Sequence, residues 1–302
     1  MPILTVNHVT TYAYSRPVGL GEHRMMLRPR DSYDQRLISA TLDIDPPPQN
    51  LTWIHDVFDN CVAIASFTGQ TRRLRFESNI TLDHTPFNGP EFLLEERARF
   101  YPFSYSAEEM PDLARSVERH YLDPSSELDR WVRRFIHQGR PTETGALLMT
   151  LTYAIKEGFS YERRTESGTQ TPLQTLERRR GSCRDFAVLM MEAARALGLA
   201  ARFVSGYIYV PQRDSGESYL GGGSTHAWCQ VYLPGAGWVE FDPTNGIVGN
   251  RDLVRVAMAR DARQAIPLSG SYFGAAADEE GMVVSVNVRR LADRELSTTQ
   301  AR

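Results

Sequence analysis

The chain has 302 residues, of which 41% are hydrophobic and 24% charged, the make-up of a protein that builds packed cores and not of a disordered chain. A net charge of −3 argues against a general nucleic-acid or membrane-surface role, and no apolar run approaches the ~20 residues of a membrane-spanning helix. Three scattered cysteines, Cys61, Cys183 and Cys229, do not suggest a disulfide framework, and the amino terminus lacks a basic segment followed by an apolar one, so a reducing, cytoplasmic setting is expected.

Residues 1–105 read as β structure. The runs Ile3–Thr11, Leu37–Ile44, Cys61–Phe67 and Leu74–Leu82 have strand composition between turn-rich connections, and Asp45-Pro46-Pro47-Pro48 is a stiff loop. Helical spacing takes over in Glu108–Tyr121, Ser126–Gln138 and Thr142–Glu157. Phe159-Ser160-Tyr161 is a short extended piece. Thr171 caps and Pro172 opens a further short helix ending in Arg178-Arg179-Arg180. Those cations suit a helix C-terminus; the alternative role is to favour a neighbouring thiolate or hold an anionic substrate. Gly181-Ser182 then turns the chain into a helix that begins at Cys183, with Phe186, Leu189, Met190, Ala193, Ala194 and Leu197 at spacings of three and four. Asp185, Glu192 and Arg195 form a narrow polar stripe, so most of this helix is expected to be buried, and Gly198 ends it. Ala201–Val210 is a strand and Pro211 to Gly223 a polar, glycine-rich loop leading into His226. Two strands follow on either side of Pro234-Gly235-Ala236-Gly237. Residues 251–268 carry few signals, Met282–Val288 alternates as a closing strand, and the tail from Ala292 is polar. The expected division is a β domain at 1–105, a core at 106–291 and a tail at 292–302, an α+β chain overall.

The chemistry concentrates in three places. Cys183 sits where the positive end of a helix dipole favours a thiolate, although a lone cysteine is more often a small core residue. His226 follows it by 43 residues and Asp242 follows His226 by 16. A cysteine nucleophile needs a base within hydrogen-bond reach, and that base needs a third group to fix its tautomer. A zinc site built from His226, Cys229 and Cys183 is a weaker alternative, because residues 226 and 229 of a strand face opposite sides and there is no paired Cys-x-x-Cys. No Gly-x-Ser-x-Gly elbow supports a serine hydrolase. His8, His23, His55, His84, His120 and His137 fall in scaffold regions.

The stretches Gly181-Ser182-Cys183-Arg184-Asp185-Phe186-Ala187, Ser224-Thr225-His226-Ala227-Trp228 and Gly237-Trp238-Val239-Glu240-Phe241-Asp242-Pro243-Thr244-Asn245 resemble the bacterial transglutaminase-like superfamily, whose members are often labelled cysteine proteases. Ala201-Arg202-Phe203-Val204-Ser205-Gly206-Tyr207 is similar to a strand of that family. Tyr12-Ala13-Tyr14-Ser15-Arg16-Pro17-Val18 and Leu27-Arg28-Pro29-Arg30 resemble the N-terminal domain that often precedes it. Two stretches depart from the pattern: Ser182-Cys183-Arg184 replaces the commoner Val-Cys-Gln, and Asp59-Asn60 replaces a Phe-Gly-Asn turn. The resemblance implies a papain-like or transglutaminase-like core, helices on an antiparallel sheet, with the nucleophile at a helix N-terminus. It implies a Cys183–His226–Asp242 triad acting on amide bonds of a peptide or protein, with no cofactor, metal, nucleic acid or membrane, and with hydrolysis, deamidation and transamidation all open. The Cys183 backbone N–H is the natural oxyanion donor, and Tyr161 is a candidate for the second. A catalytically silent binding module of the same fold is the alternative.

The triad sets a condition on the hairpin. Side chains alternate, so His226, Trp228, Gln230 and Tyr232 share a face, as do Trp238, Glu240 and Asp242. Both sets meet on one face if Trp228 stands opposite Asp242, Gln230 opposite Glu240 and Tyr232 opposite Trp238, with a five-residue loop from Leu233 to Gly237, or if a β-bulge restores the same facing.

Overall fold

The computed structural model describes residues 2–85, 93–163, 168–210 and 223–291; most of the loop expected at 211–223, and the expected tail, lie outside them. Five strands come first: β1 (Ile3–Arg28), β2 (Gln35–Asp45), β3 (Asn50–His55), β4 (Cys61–Ser66) and β5 (Gln70–His84). The sequence marks only Ile3–Thr11 of β1. The strand continues through Pro17 and through register shifts after Ala13, Leu20 and Met25, and these irregularities hide its periodicity.

β6 (Phe100–Tyr101) precedes two short helices, α1 (Met110–Val117) and α2 (Glu127–Arg133), both shorter than their spacing predicts. β7 (Thr142–Glu143) leads into α3 (Thr144–Gly158). β8 (Ser160–Tyr161) lies parallel to β9 (Arg180–Gly181), and α4 (Pro172–Arg178) falls between them, opened by the expected Thr171 cap as a full capping box with Gln174. α5 (Cys183–Ala196) then feeds β10 (Ala201–Ile208), β11 (His226–Leu233), β12 (Gly237–Asp242), β13 (Ile247–Val248) and β14 (Leu253–Ala259). These form an antiparallel sheet in the order β13-β12-β11-β10-β14.

α5 is the centre of the larger core. Ala187, Leu189, Met190, Ala193 and Ala194 are buried against Ala227, Cys229, Val231 and Leu233, the odd-numbered face of β11. The polar stripe of α5 is buried as well: Asp185, Glu192 and Arg195 are 0%, 0% and 2% exposed. Arg195 makes this possible by donating to Glu192 Oε1 at 2.8 Å and to the carbonyls of Ser116, Ala201 and Arg260 at 2.7–3.0 Å.

The chain ends by returning to its beginning. β15 (Leu268–Phe273) and β16 (Glu279–Arg290), which the sequence groups with the core, pair antiparallel with β1. A second buried cluster joins this seven-stranded sheet to the core: Leu4, Val6, Ile80, Leu82, Val286 and Val288 pack on Tyr207, Val254 and Val256.

Polar contacts fix the docking. His8 Nδ1 lies 2.9 Å from the Tyr207 hydroxyl. The amide of Gln35 donates to the Arg255 carbonyl and accepts from the Arg255 N–H, both at 2.8 Å. Asn60 does the same to Met258, also at 2.8 Å in both directions. These two side chains act as strand partners for the otherwise free edge of β14. Val256 falls at a register shift against β10, and this extra residue turns Arg255 and Met258, three apart, to the same edge. The departing Asp59-Asn60 turn thus has a structural role: Asp59 takes φ +66°, and Asn60 is fully buried.

Candidate active site

Ser182 and Asp185 start α5. The Asp185 carboxylate accepts from the Ser182 N–H and hydroxyl, both at 2.8 Å, while the Asp185 N–H donates back to Ser182 Oγ. The other Asp185 oxygen accepts the Gln170 N–H at 2.6 Å. A Cβ on Gly181 would stand 2.9 Å from the Asp185 Cβ, so a side chain there would displace this cap. The result is a fixed helix start carrying Cys183, 7% exposed.

The hairpin register is the even-numbered one: Gln230 stands opposite Glu240 and Tyr232 opposite Trp238. The ladder runs further than expected, to Leu233 opposite Gly237, so the loop is three residues long; Gly235 within it and Gly237 at its end take φ +91° and +73°. His226 and Asp242 consequently meet. His226 Nε2 lies 2.8 Å from Asp242 Oδ2, with both side chains fully buried.

Two neighbours that the sequence reading left without a role complete the carboxylate. Asn245 Nδ2 donates to Oδ2 at 2.8 Å, and the Thr244 N–H donates to Oδ1 at 2.9 Å. Both belong to the Asp-Pro-Thr-Asn stretch, which is the signal that could have found them. Asn245 Nδ2 also stands 3.3 Å from His226 Nε2, but with the Nε2 proton directed at Asp242 this contact is not a hydrogen bond. Trp228 stacks on the imidazole, centroids 5.8 Å apart at 30°.

Burial disfavours charge on both partners of this pair. For His226 the attraction of Asp242, its hydrogen bond and the nearby Cys183 outweigh burial and raise the pKa; for Asp242 the same pairing, with Asn245 and the Thr244 N–H, lowers it. His226 Nδ1 has no hydrogen bond of good geometry, and the Cys183 thiol is near enough to the ring to favour its charged form. His226 is the first residue of β11, at the end of the sheet that the start of α5 reaches.

Tyr161 is brought beside this point by its pairing with Gly181. Burial and then Cys183 push its phenol up to about 12. The other cysteines are differently placed. Burial raises the Cys229 thiol, whose S–H donates to the Phe241 carbonyl at 3.6 Å, and raises Cys61 also. The three arginines before Gly181 are accounted for locally in part: Arg179 lies 4.9 Å over the Phe159 ring and Arg180 pairs with Glu162 at 3.7 Å. Among the described residues no cluster of His, Cys, Asp or Glu could hold a metal ion, and no helix is long and apolar enough to cross a membrane.

Residues 4–83 match the bacterial transglutaminase-like N-terminal region, and residues 130–243 match the transglutaminase-like superfamily. An uncharacterized protein of Mycobacterium tuberculosis, Rv2569c, is 29% identical over 300 residues, covering 94% of this chain and 90% of its own. ML0607 of Mycobacterium leprae, also uncharacterized, is 36% identical over 114 residues, 38% of this chain and 40% of its own. Among solved structures, one titled a "putative cysteine protease" from Cytophaga hutchinsonii superposes with a TM-score of 0.69 at 18% identity, covering 96% of this chain and 91% of that one. That likeness shows the α+β fold with its N-terminal antiparallel sheet; the transglutaminase-like character of the core comes from the match over residues 130–243.

Proposed function

Because the chain belongs to the transglutaminase-like superfamily, we propose that it is a cysteine-dependent acyl-transfer enzyme acting on amide bonds of peptides or proteins. The observation that carries this reading is the imidazole of His226, held by Asp242 at Nε2 with Nδ1 left open and Cys183 beside the ring. In this mechanism the Cys183 thiolate attacks the amide carbonyl and forms the C–S bond. The oxyanion is stabilised by the Cys183 backbone N–H at the helix start and by the Tyr161 hydroxyl. The imidazolium of His226 protonates the leaving amine as the C–N bond breaks, leaving a thioester. Water or a second amine, deprotonated by the now neutral His226, attacks the thioester and returns the thiol. Asp242 fixes the imidazole and stabilises its charged form throughout. Cytoplasmic residence is part of the proposal and is supported by three free cysteines.

The test compares wild type and Cys183→Ala on glutamine-donor peptides, peptide bonds and simple amides, with and without an added amine. Activity lost in Cys183→Ala is expected. Iodoacetamide is expected to label Cys183 first, since Cys183 stands beside the imidazole of His226 at the start of α5, whereas burial raises the Cys61 and Cys229 thiols. Full activity in Cys183→Ala would remove the covalent mechanism. Equal labelling of Cys61 or Cys229 would remove the nucleophile assignment and leave the fold as a binding module.

A further inference from the structure

On the even-numbered face of the core sheet a cavity of about 540 Å³ lies between Arg202, Gln230, Trp238 and Glu240 and the Arg30–Gln35 loop. Cys183, His226 and Asp242 do not line it. Its size suits a small organic ligand.

Two arginines meet here and are treated differently. Both terminal nitrogens of Arg255 are engaged: they donate to Glu240 Oε1 at 2.7 Å, to Ser32 Oγ at 3.1 Å and to both oxygens of Asp34 at 2.5 and 2.9 Å. Arg202 differs. Its guanidinium carbon lies over Trp238, 4.1 Å from the ring centroid, and Nε donates to Gln230 Oε1 at 2.7 Å. Among the described residues its terminal nitrogens find only the Met258 sulfur, at 3.7 Å, a weak acceptor. Burial pushes its pKa down to about 10 against the pull of Glu240, so it remains a cation at neutral pH. A half-buried guanidinium over an aromatic ring at the wall of a cavity, its terminal N–H groups meeting no protein oxygen among the described residues, is placed to take an oxyanion.

The opposite charge is present too. Glu240 Oε1 accepts from both Gln230 and Arg255 at 2.7 Å, whereas Oε2 accepts no hydrogen bond among the described residues. One wall of the cavity thus offers an open cation and an open carboxylate oxygen.

We infer that this cavity binds a small zwitterion of amino-acid size, its carboxylate on the terminal nitrogens of Arg202 above Trp238 and its ammonium at Glu240 Oε2. Nothing in the argument uses the triad, so the site stands whether or not Cys183 is a nucleophile.

Isothermal titration of the full chain with L-glutamine and L-alanine tests the inference, with acetate, ethylamine and inorganic phosphate as partial probes. Wild type and Cys183→Ala are expected to bind an amino acid equally, and acetate or ethylamine about tenfold or more weakly. Arg202→Met is expected to lose about tenfold or more in affinity for the amino acid and for acetate, with partial recovery in Arg202→Lys. Glu240→Gln is expected to weaken the amino acid and leave acetate unchanged. The probe comparison on wild type needs no variant, and thermal melts show which variants are folded. Failure of every probe to bind wild type, undiminished binding by folded Arg202→Met, or phosphate and acetate binding as tightly as the amino acid would each overturn the zwitterion site.

Discussion

Asp242 takes three hydrogen bonds in a place with no exposed surface, and the side chains at 226 and 242 are therefore coupled in both activity and stability. Asp242→Asn keeps the volume but presents an amide where the imidazole needs an acceptor. Activity is expected to fall on the order of 10⁴-fold with the fold retained, the loss that the corresponding change causes in a serine-protease triad; assays and circular dichroism on one preparation check both halves. The pairing raises His226 above its ordinary 6.5 and lowers Asp242 below its ordinary 3.8. The His226 contribution to stability is then complete below pH 6.5 and fades as pH climbs through the raised pKa. The Asp242 contribution is present above pH 3.8 and is lost as pH falls through the lowered one. The margin in melting temperature of wild type over Asp242→Asn is expected to be widest between those values and to shrink on either side. Gly206 stands opposite His226 in the sheet, and a Cβ there would lie 2.1 Å from the Val254 carbonyl oxygen and 2.8 Å from the Trp228 ring. Gly206→Ala is expected to destabilise by about 1–3 kcal/mol and to lower kcat by disturbing the ring stacked on His226. Unchanged melting and kcat would show that the strand yields without cost.

At the scale of elements, the hairpin was legible because alternation and turn residues are local: the facing of His226 and Asp242 follows from counting residues once the register is chosen. The loop length was not, since Gly237 both closes the turn and pairs with Leu233. Asn245 was quoted in its motif but not given a role, because a side chain folding back three residues onto a carboxylate leaves no periodic trace. The polar stripe of α5 misled in the same way. Spacing shows that Glu192 and Arg195 share a side, but only the arrival of the Ser116, Ala201 and Arg260 carbonyls makes that side an interior. Arg195→Met strands the Glu192 carboxylate and is expected to destabilise by about 3–5 kcal/mol, with much of the loss recovered when Glu192→Leu is added. Urea denaturation of the two single variants and the double variant measures the coupling; additive losses would mean the pair is not interacting.

For the whole molecule, the sequence indicated a β region before an α+β core but not that β15 and β16 return to β1. Their paired residues on β1 lie 243 to 286 positions away in the chain (268 − 25 and 290 − 4), and long-range pairing has no local signature. The amino-terminal sheet also supplies Gln35 and Asn60 to the rim of β14. The opposite rim, β13, is only two residues long. An unpaired strand rim is a template for recruiting other chains, so those two amides serve as guards against self-assembly as well as fastenings. The core expressed alone, residues 106–266, would present the bare rim of β14, and size-exclusion chromatography is expected to find it in oligomers or aggregates while the full chain stays dispersed. A monodisperse, folded core would mean the rim protects itself. By the same logic, Gln35 and Asn60 matter more than their distance from Cys183, His226 and Asp242 suggests, because their loss exposes a surface that acts between molecules rather than within one.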